Sequence, residues 1–212
     1  MTRLGTLASL GAAIATLAYL AAVTEGWTAV AYATKPLIVV SCLALAPAMP
    51  SPMRAWMVTG LLFSLGGDIA LMVPGDYFIT GLALFLVAHV CYIRALTLDG
   101  WRVTPGPALV TGGYLVVMVT WLLPSLGAMR LPVVIYAGVI SLMAWQALER
   151  AASRRSAAAV LMACGSALFV ASDTTLAVNR FVAPVPMERL LIMGTYALAQ
   201  WGLAFGASRE RR

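Results

Sequence analysis

Charge is scarce in this chain. Asp, Glu, Lys and Arg make up 10% of its 212 residues, where a soluble globular domain carries about 25%. Histidine is scarcer still, with one in the whole sequence; that excludes multi-histidine zinc hydrolases and haem sites held by two histidines. The three cysteines, Cys42, Cys91 and Cys164, all fall in apolar stretches, which suits small packing residues rather than a disulfide framework. No Gly-x-Ser-x-Gly elbow occurs, and neither Ser64 nor Ser166 has a base on a neighbouring motif. The Gly-x-Gly-Asp signature of intramembrane aspartyl proteases is incomplete. Leu65 stands where its first glycine belongs, and Ser172 stands where the partner motif has tyrosine.

What is abundant is apolar surface. The chain is 62% hydrophobic with a mean hydropathy of +0.92, the composition of a polytopic membrane protein. Its net charge of +6 would suggest a nucleic-acid partner in a soluble chain. Here the basic residues flank apolar spans, where they anchor and orient the chain, so no nucleic acid is expected. Breaks rich in Pro, Gly or charge divide the sequence into eight spans, at 4–23, 32–47, 54–73, 78–97, 107–123, 131–150, 156–178 and 188–207. The run from Leu4 to Val23 is read as a transmembrane helix, since the apolar region of a signal peptide is only about 7–15 residues. Lys35-Pro36 reads as the start of the second span, with proline in the first helical turn. Loops are short and leave no room for an extramembrane domain. Residues 1–212 are thus expected to form a single all-α membrane domain, a bundle of about eight helices with antiparallel neighbours.

Basic residues give the orientation. With eight spans both termini lie on one side, together with Arg3, Arg54, Arg94, Arg102, Arg150, Arg154, Arg155, Arg209, Arg211 and Arg212. The other side holds Lys35, Arg130, Arg180 and Arg189. The positive-inside rule then places both termini in the cytoplasm, in the cytoplasmic (inner) membrane.

Against this apolar background two aspartates stand alone. Asp68 lies in Gly60-Leu-Leu-Phe-Ser-Leu-Gly-Gly-Asp-Ile-Ala-Leu71, and Asp173 in Gly165-Ser-Ala-Leu-Phe-Val-Ala-Ser-Asp-Thr-Thr-Leu176. Both follow the pattern Gly, seven residues, Asp, two residues, Leu. A carboxylate at bilayer depth costs about 2.5–3.5 kcal/mol on insertion scales, so each marks a functional site by default. Lys35-Pro36 and Arg130-Leu131-Pro132 also correspond, and the spans read as a parallel duplication of four helices.

Counting from the estimated span ends puts both carboxylates about 7–8 Å below the non-cytoplasmic surface. Lys35 and Asn179 fall on the same side. His89 with Tyr92, and Tyr196 with Gln200, share faces of their helices nearer the midplane. The polar residues therefore converge on one half of the bundle. Each has a structural alternative: interhelical hydrogen bonds for the aspartates, Tyr196 and Gln200, snorkelling for Lys35, and a satisfied core position for His89. Asp76, Asp99 and the terminal Arg-Glu-Arg-Arg read as solvated charges.

Taken in order, Lys35-Pro36, Gly67-Asp68 with Leu71, His89 with Tyr92, Pro132 with Tyr136, Ser172-Asp173, and Tyr196 with Gln200 resemble the YhhN family, whose animal members are the TMEM86-type lysoplasmalogenases. The resemblance runs from the second span to the eighth. It implies hydrolysis of the vinyl ether bond of a lysophospholipid of the ether-lipid class, releasing a fatty aldehyde and a glycerophospho-head group. Asp68 and Asp173 would be the catalytic pair. Lys35, His89, Tyr92, Tyr136, Asn179, Tyr196 and Gln200 would bind substrate or support the carboxylates, with Lys35 facing the substrate phosphate.

Vinyl ethers hydrolyse by slow proton transfer to the β-carbon, followed by water addition to an oxocarbenium ion. One carboxylic acid and one carboxylate meet those demands, as in glycoside hydrolysis. One aspartate, desolvated, would keep its proton near neutrality while the other stays ionised and faces the cation; Asp68 is favoured as the acid. No metal or cofactor is expected. The alternative is a small transporter or ion-coupled carrier using the same carboxylates.

Overall fold

The computed structural model describes residues 3–210; Arg211 and Arg212, which count towards the charge asymmetry, lie outside them. Eight α-helices follow one another: α1 (Arg3–Thr24), α2 (Thr28–Leu43), α3 (Ser51–Ala70), α4 (Phe78–Leu96), α5 (Pro105–Leu122), α6 (Arg130–Arg154), α7 (Ala157–Phe181) and α8 (Glu188–Arg209). The described residues contain no strand.

The chain is a multi-pass membrane protein. Seven helices among the described residues are long and apolar enough to cross a bilayer. The remaining one, α3, has the length, 20 residues or about 30 Å, but carries Thr59, Ser64, three glycines and Asp68. It packs against α2, α4 and α8 rather than standing alone in lipid. Leu7, Ile14 and Leu17 of α1 and Leu109, Val116 and Val117 of α5 are exposed, an apolar surface that lipid tails cover. Trp27, Trp101 and Trp121 are exposed near helix ends, as an interfacial aromatic belt requires.

Local chemistry accounts for the boundaries. Pro105 opens α5, where its missing N–H has no intrahelical partner to lose. Between α6 and α7, Arg155 turns left-handed at φ 48°, and the Ser156 hydroxyl accepts a hydrogen bond from the Ala159 amide at 3.1 Å, capping α7. The second span differs from expectation. It begins at Thr28 and ends at Leu43, so Pro36 lies in its third turn. Reading Lys35-Pro36 as a start signal was the error: a membrane helix tolerates an internal proline whose neighbours satisfy the freed carbonyl.

The most extensive contacts pair α3 with α4 and α7 with α8. The glycines that open the two aspartate motifs lie in these seams. A Cβ on Gly165 would come 2.8 Å from both the Ala199 carbonyl oxygen and the Leu203 amide nitrogen of α8. One on Gly60 would come 2.4 Å from the Tyr92 ring of α4. Gly202 and Gly206 face α7 in turn, a small-residue seam of the kind that lets membrane helices approach closely. Beyond these seams, α2 touches α3 and α8, and α6 touches α7 and α4.

Candidate active site

Asp68 occupies the last turn of α3, two residues before its end at Ala70, and is 2% exposed. Two elements distant in sequence reach it. The Lys35 ammonium of α2 lies 3.4 Å from Oδ1, and the Tyr196 hydroxyl of α8 donates to Oδ2 at 2.6 Å. Behind Tyr196 a chain of hydrogen bonds runs into the bundle. Gln200 donates from Nε2 to the Tyr196 oxygen at 3.0 Å, and Tyr92 donates to Gln200 Oε1 at 2.9 Å. The Ser64 and Tyr92 hydroxyls are 3.1 Å apart. Ser64, Tyr92 and Gln200 have no exposure at all, so this network pre-orients Tyr196.

Asp173 lies eight residues before the end of α7. Tyr136 of α6 donates a hydrogen bond to its Oδ2. The neighbouring Ser172 hydroxyl donates to the Ile192 carbonyl of α8 at 3.0 Å, which fixes this turn of α7 against α8. No cation among the described residues pairs with Asp173, so the one lysine at the site is committed to one of the two carboxylates. Asp68 lies about 3 Å of helix from the end of α3 and Asp173 about 12 Å from the end of α7 by the 1.5 Å rise, because α3 stops earlier and α7 continues further than the sequence suggests.

Both carboxylates line one cavity of about 370 Å³ that opens to the surface, with Lys35, Tyr196, Phe85 and Leu176 among its walls. A smaller pocket of about 40 Å³ adjoins it, walled by Leu82, Phe78, Phe85, Val133 and Phe181 and reaching Asp173 and Tyr136. Asp173 thus stands where polar and apolar space meet. Below lies an aromatic floor. Phe169 packs edge-on against Tyr196, with ring centroids 5.4 Å apart, and against His89 at 4.6 Å. Gly67 makes room for this floor, since a Cβ there would come 2.7 Å from the Phe85 ring.

Several expected residues sit otherwise than foreseen. Lys35 does not snorkel at the interface: it lies seven residues inside α2, is 8% exposed, and is paired with Asp68. His89 is fully buried with no hydrogen-bond partner on either ring nitrogen, and its polar atoms do not reach the carboxylates. Tyr92 acts at one remove, through Gln200 and Tyr196. Asn179 lines the cavity, and its Oδ1 accepts from the Val185 amide at 2.9 Å, tying down the α7–α8 loop. Asp76 pairs with Arg180 at 3.0 Å beside the cavity, with its side chain 77% exposed and so solvated as expected; Glu210 pairs with Arg150 at 2.8 Å with its side chain 6% exposed, and is not a solvated charge. Sequence reasoning passed over Tyr19 and Arg189, which also line the cavity. One apolar-flanked tyrosine and one interfacial arginine carry no motif.

Comparison with known proteins agrees on one group. The model of the YhhN family matches residues 30–207. Lysoplasmalogenase TMEM86A of Homo sapiens is 35% identical over 172 residues, covering 77% of this chain and 69% of that protein. Lysoplasmalogenase TMEM86B of Rattus norvegicus is 35% identical over 163 residues, covering 76% and 65%. A lysoplasmalogenase of Mycobacterium tuberculosis is 30% identical over 156 residues, covering 69% and 58%. No solved structure matches the chain significantly.

Proposed function

The chain belongs to the YhhN family, and from that premise we propose that it is a lysoplasmalogenase, an ether hydrolase that cleaves the vinyl ether bond of lysoplasmalogens with Asp173 as acid and Asp68 as carboxylate. The observation that carries the reading is the asymmetry of the pair. Lys35 stands 3.4 Å from Asp68, and no described cation pairs with Asp173. One cation beside two carboxylates balances when the pair shares one proton, and that proton belongs on the carboxyl without a cation. This reverses the sequence-based preference for Asp68 as the acid.

The order of the surroundings fits the order of atoms in the substrate. A lysoplasmalogen runs from head group through ether oxygen, α-carbon and β-carbon to the alkyl chain. The apolar pocket beside Asp173 takes the start of that chain, which brings the β-carbon to the proton donor. Asp173 gives its proton to the β-carbon, and the double-bond electrons form the new C–H bond. The positive charge left on the α-carbon and ether oxygen faces the Asp68 carboxylate, held in place by Tyr196 and Lys35. Stabilising developing charge with a fixed, desolvated anion is the largest contribution expected from such a site.

Water then adds to the α-carbon and passes a proton back to the carboxylates. The hemiacetal collapses to fatty aldehyde and the free hydroxyl of the glycerophospho-head group. Tyr136 orients Asp173 throughout. The basic residues at the end of the bundle that bears the termini support an orientation with that end in the cytoplasm.

The test is aldehyde release from purified protein given lysoplasmenylcholine, beside Asp68→Asn and Asp173→Asn. Release by the wild type alone is the expected result. Turnover retained by both variants sinks the two-carboxylate mechanism, and no release by folded wild type sinks the substrate assignment.

A further inference from the structure

The cavity holding the carboxylates is not the only large one at that end of the bundle. A second, also about 370 Å³, lies between α1, α2 and the end of α3, lined by Tyr19, Thr28, Tyr32, Met72, Lys35 and Arg189 among others. The two meet at a common wall, since Tyr19, Lys35, Leu71 and Arg189 line both. The vinyl ether chemistry above uses only the first. We propose that the second cavity is the head-group chamber of the substrate, binding a zwitterionic phosphodiester whose phosphate sits at the junction on Arg189, beside the Lys35–Asp68 pair. The proposal rests on the vinyl ether reading.

Three features carry it. The first is the order of compartments. With the alkyl chain beside Phe78 and Leu82 and the reacting bond between the aspartates, the glycerol leads away from Asp173, past Asp68, to Lys35 and the junction. The second is the available charge. The Arg189 side chain is 69% exposed, and its Nε lies 3.6 Å from Glu188. No described residue hydrogen-bonds its terminal nitrogens, which are free to take two phosphate oxygens in the fork geometry that arginine favours. Beyond the junction, Tyr19 and Tyr32 give the chamber aromatic faces, which attract a substituted ammonium.

The third is where the chamber wall comes from. Tyr19, Ala22, Val23, Gly26 and Thr28 all precede residue 30, where the family match begins. The reacting carboxylates are built from the shared part of the chain, and much of the chamber from α1 and the turn after it. Head-group selectivity then falls to α1 and the turn after it, together with Arg189.

The experiment compares two substrates with the same alkenyl chain, lysoplasmenylcholine and 1-alkenylglycerol, which lacks phosphate and head group. The reading is the ratio of their KM values in the wild type, in Arg189→Gln, and in Thr28→Trp, which fills the chamber from an exposed position. The advantage of the phosphorylated substrate is expected to shrink about tenfold in each variant, the scale of one lost charge-assisted contact, and to return in part with Arg189→Lys. A ratio that moves in Arg189→Gln but not in Thr28→Trp leaves the phosphate at the cavity mouth and overturns the chamber. Unchanged ratios in both variants overturn the whole proposal while leaving the hydrolase standing. A wild type that cleaves neither substrate overturns the vinyl ether reading, and the proposal with it.

Discussion

The Lys35 ammonium and the Asp68 carboxylate form a buried ion pair 3.4 Å apart, with side chains 10% and 3% exposed, joining α2 to α3. Both partners are withdrawn from water, so the attraction has to offset a large desolvation cost, and removing one partner leaves the other uncompensated. Lys35→Met is therefore expected to destabilise the protein by about 3–5 kcal/mol and to abolish turnover. The double variant Lys35→Met with Asp68→Asn should regain much of that stability without regaining activity. Thermal unfolding in detergent micelles measures the first effect and aldehyde release the second. A Lys35→Met protein as stable as wild type would show that the pair contributes nothing to folding.

Tyr136 tests the other carboxylate. Its hydroxyl donates to Asp173, while its ring packs edge-on against His89 with centroids 5.3 Å apart. Tyr136→Phe keeps the ring and removes the donor. Losing one hydrogen bond to a reacting group is worth roughly 1–2 kcal/mol, or a fall in kcat of about tenfold or more, with KM changed far less. A variant that raises KM and leaves kcat alone would mean that Tyr136 holds substrate rather than the acid.

Much of this was legible in the residues, for identifiable reasons. Asp68 and Asp173 stand out because a charge in an apolar helix has no cheap explanation. Tyr196 with Gln200 was visible as a shared helix face, and the hydrogen bonds linking them to Tyr92 follow from that face. Lys35 was found but misplaced, because Pro36 was read as a boundary when it lies inside α2. Helix ends carry the same kind of error: α3 stops three residues short of its expected end and α7 runs three beyond, a shift of several ångströms each. Tyr19 and Arg189 were invisible. Their role arises only where α1, α2, α3 and α8 converge, and no local pattern encodes a wall shared by two cavities.

The glycines separate packing from propensity. On Gly165 a Cβ meets backbone atoms of α8 at 2.8 Å, which cannot yield without parting two helices. Gly165→Ala is expected to destabilise by about 1–3 kcal/mol, the usual range for overpacking. On Gly138 of α6 a Cβ meets nothing within 4 Å, so Gly138→Ala should be neutral or stabilising by up to about 1 kcal/mol through helix propensity. Gly60→Ala presses on the Tyr92 ring and should cost activity, because Tyr92 anchors Gln200 and, through it, Tyr196. Thermal unfolding of the three variants together gives the comparison. Equal effects at Gly165 and Gly138 would remove the argument from close approach.

Far from the cavity, the α4–α5 loop is tied to the opposite end of the bundle. Asp99 accepts from Arg150 at 2.8 Å and also from Arg154, and Arg150 holds Glu210 at 2.8 Å. Partial burial alone would raise the Asp99 carboxyl, but the hydrogen bonds and charges of Arg154 and Arg150 outweigh it and hold the group below the usual carboxylate range. The sign of the linkage follows. A carboxyl lowered on folding contributes stability above its unfolded value, near 3.9, and loses it as pH falls through the folded value. The Asp99 side chain is 38% exposed, so solvent screening limits the contribution to about 1 kcal/mol or less. Asp99→Asn is therefore expected to unfold slightly more easily than wild type at neutral pH. The gap should close below about pH 4 and narrow in high salt. Unfolding midpoints for both proteins, measured across pH at two ionic strengths, decide it. A gap independent of pH and salt would mean that Asp99 acts as a hydrogen-bond acceptor for Arg150, with its charge contributing nothing.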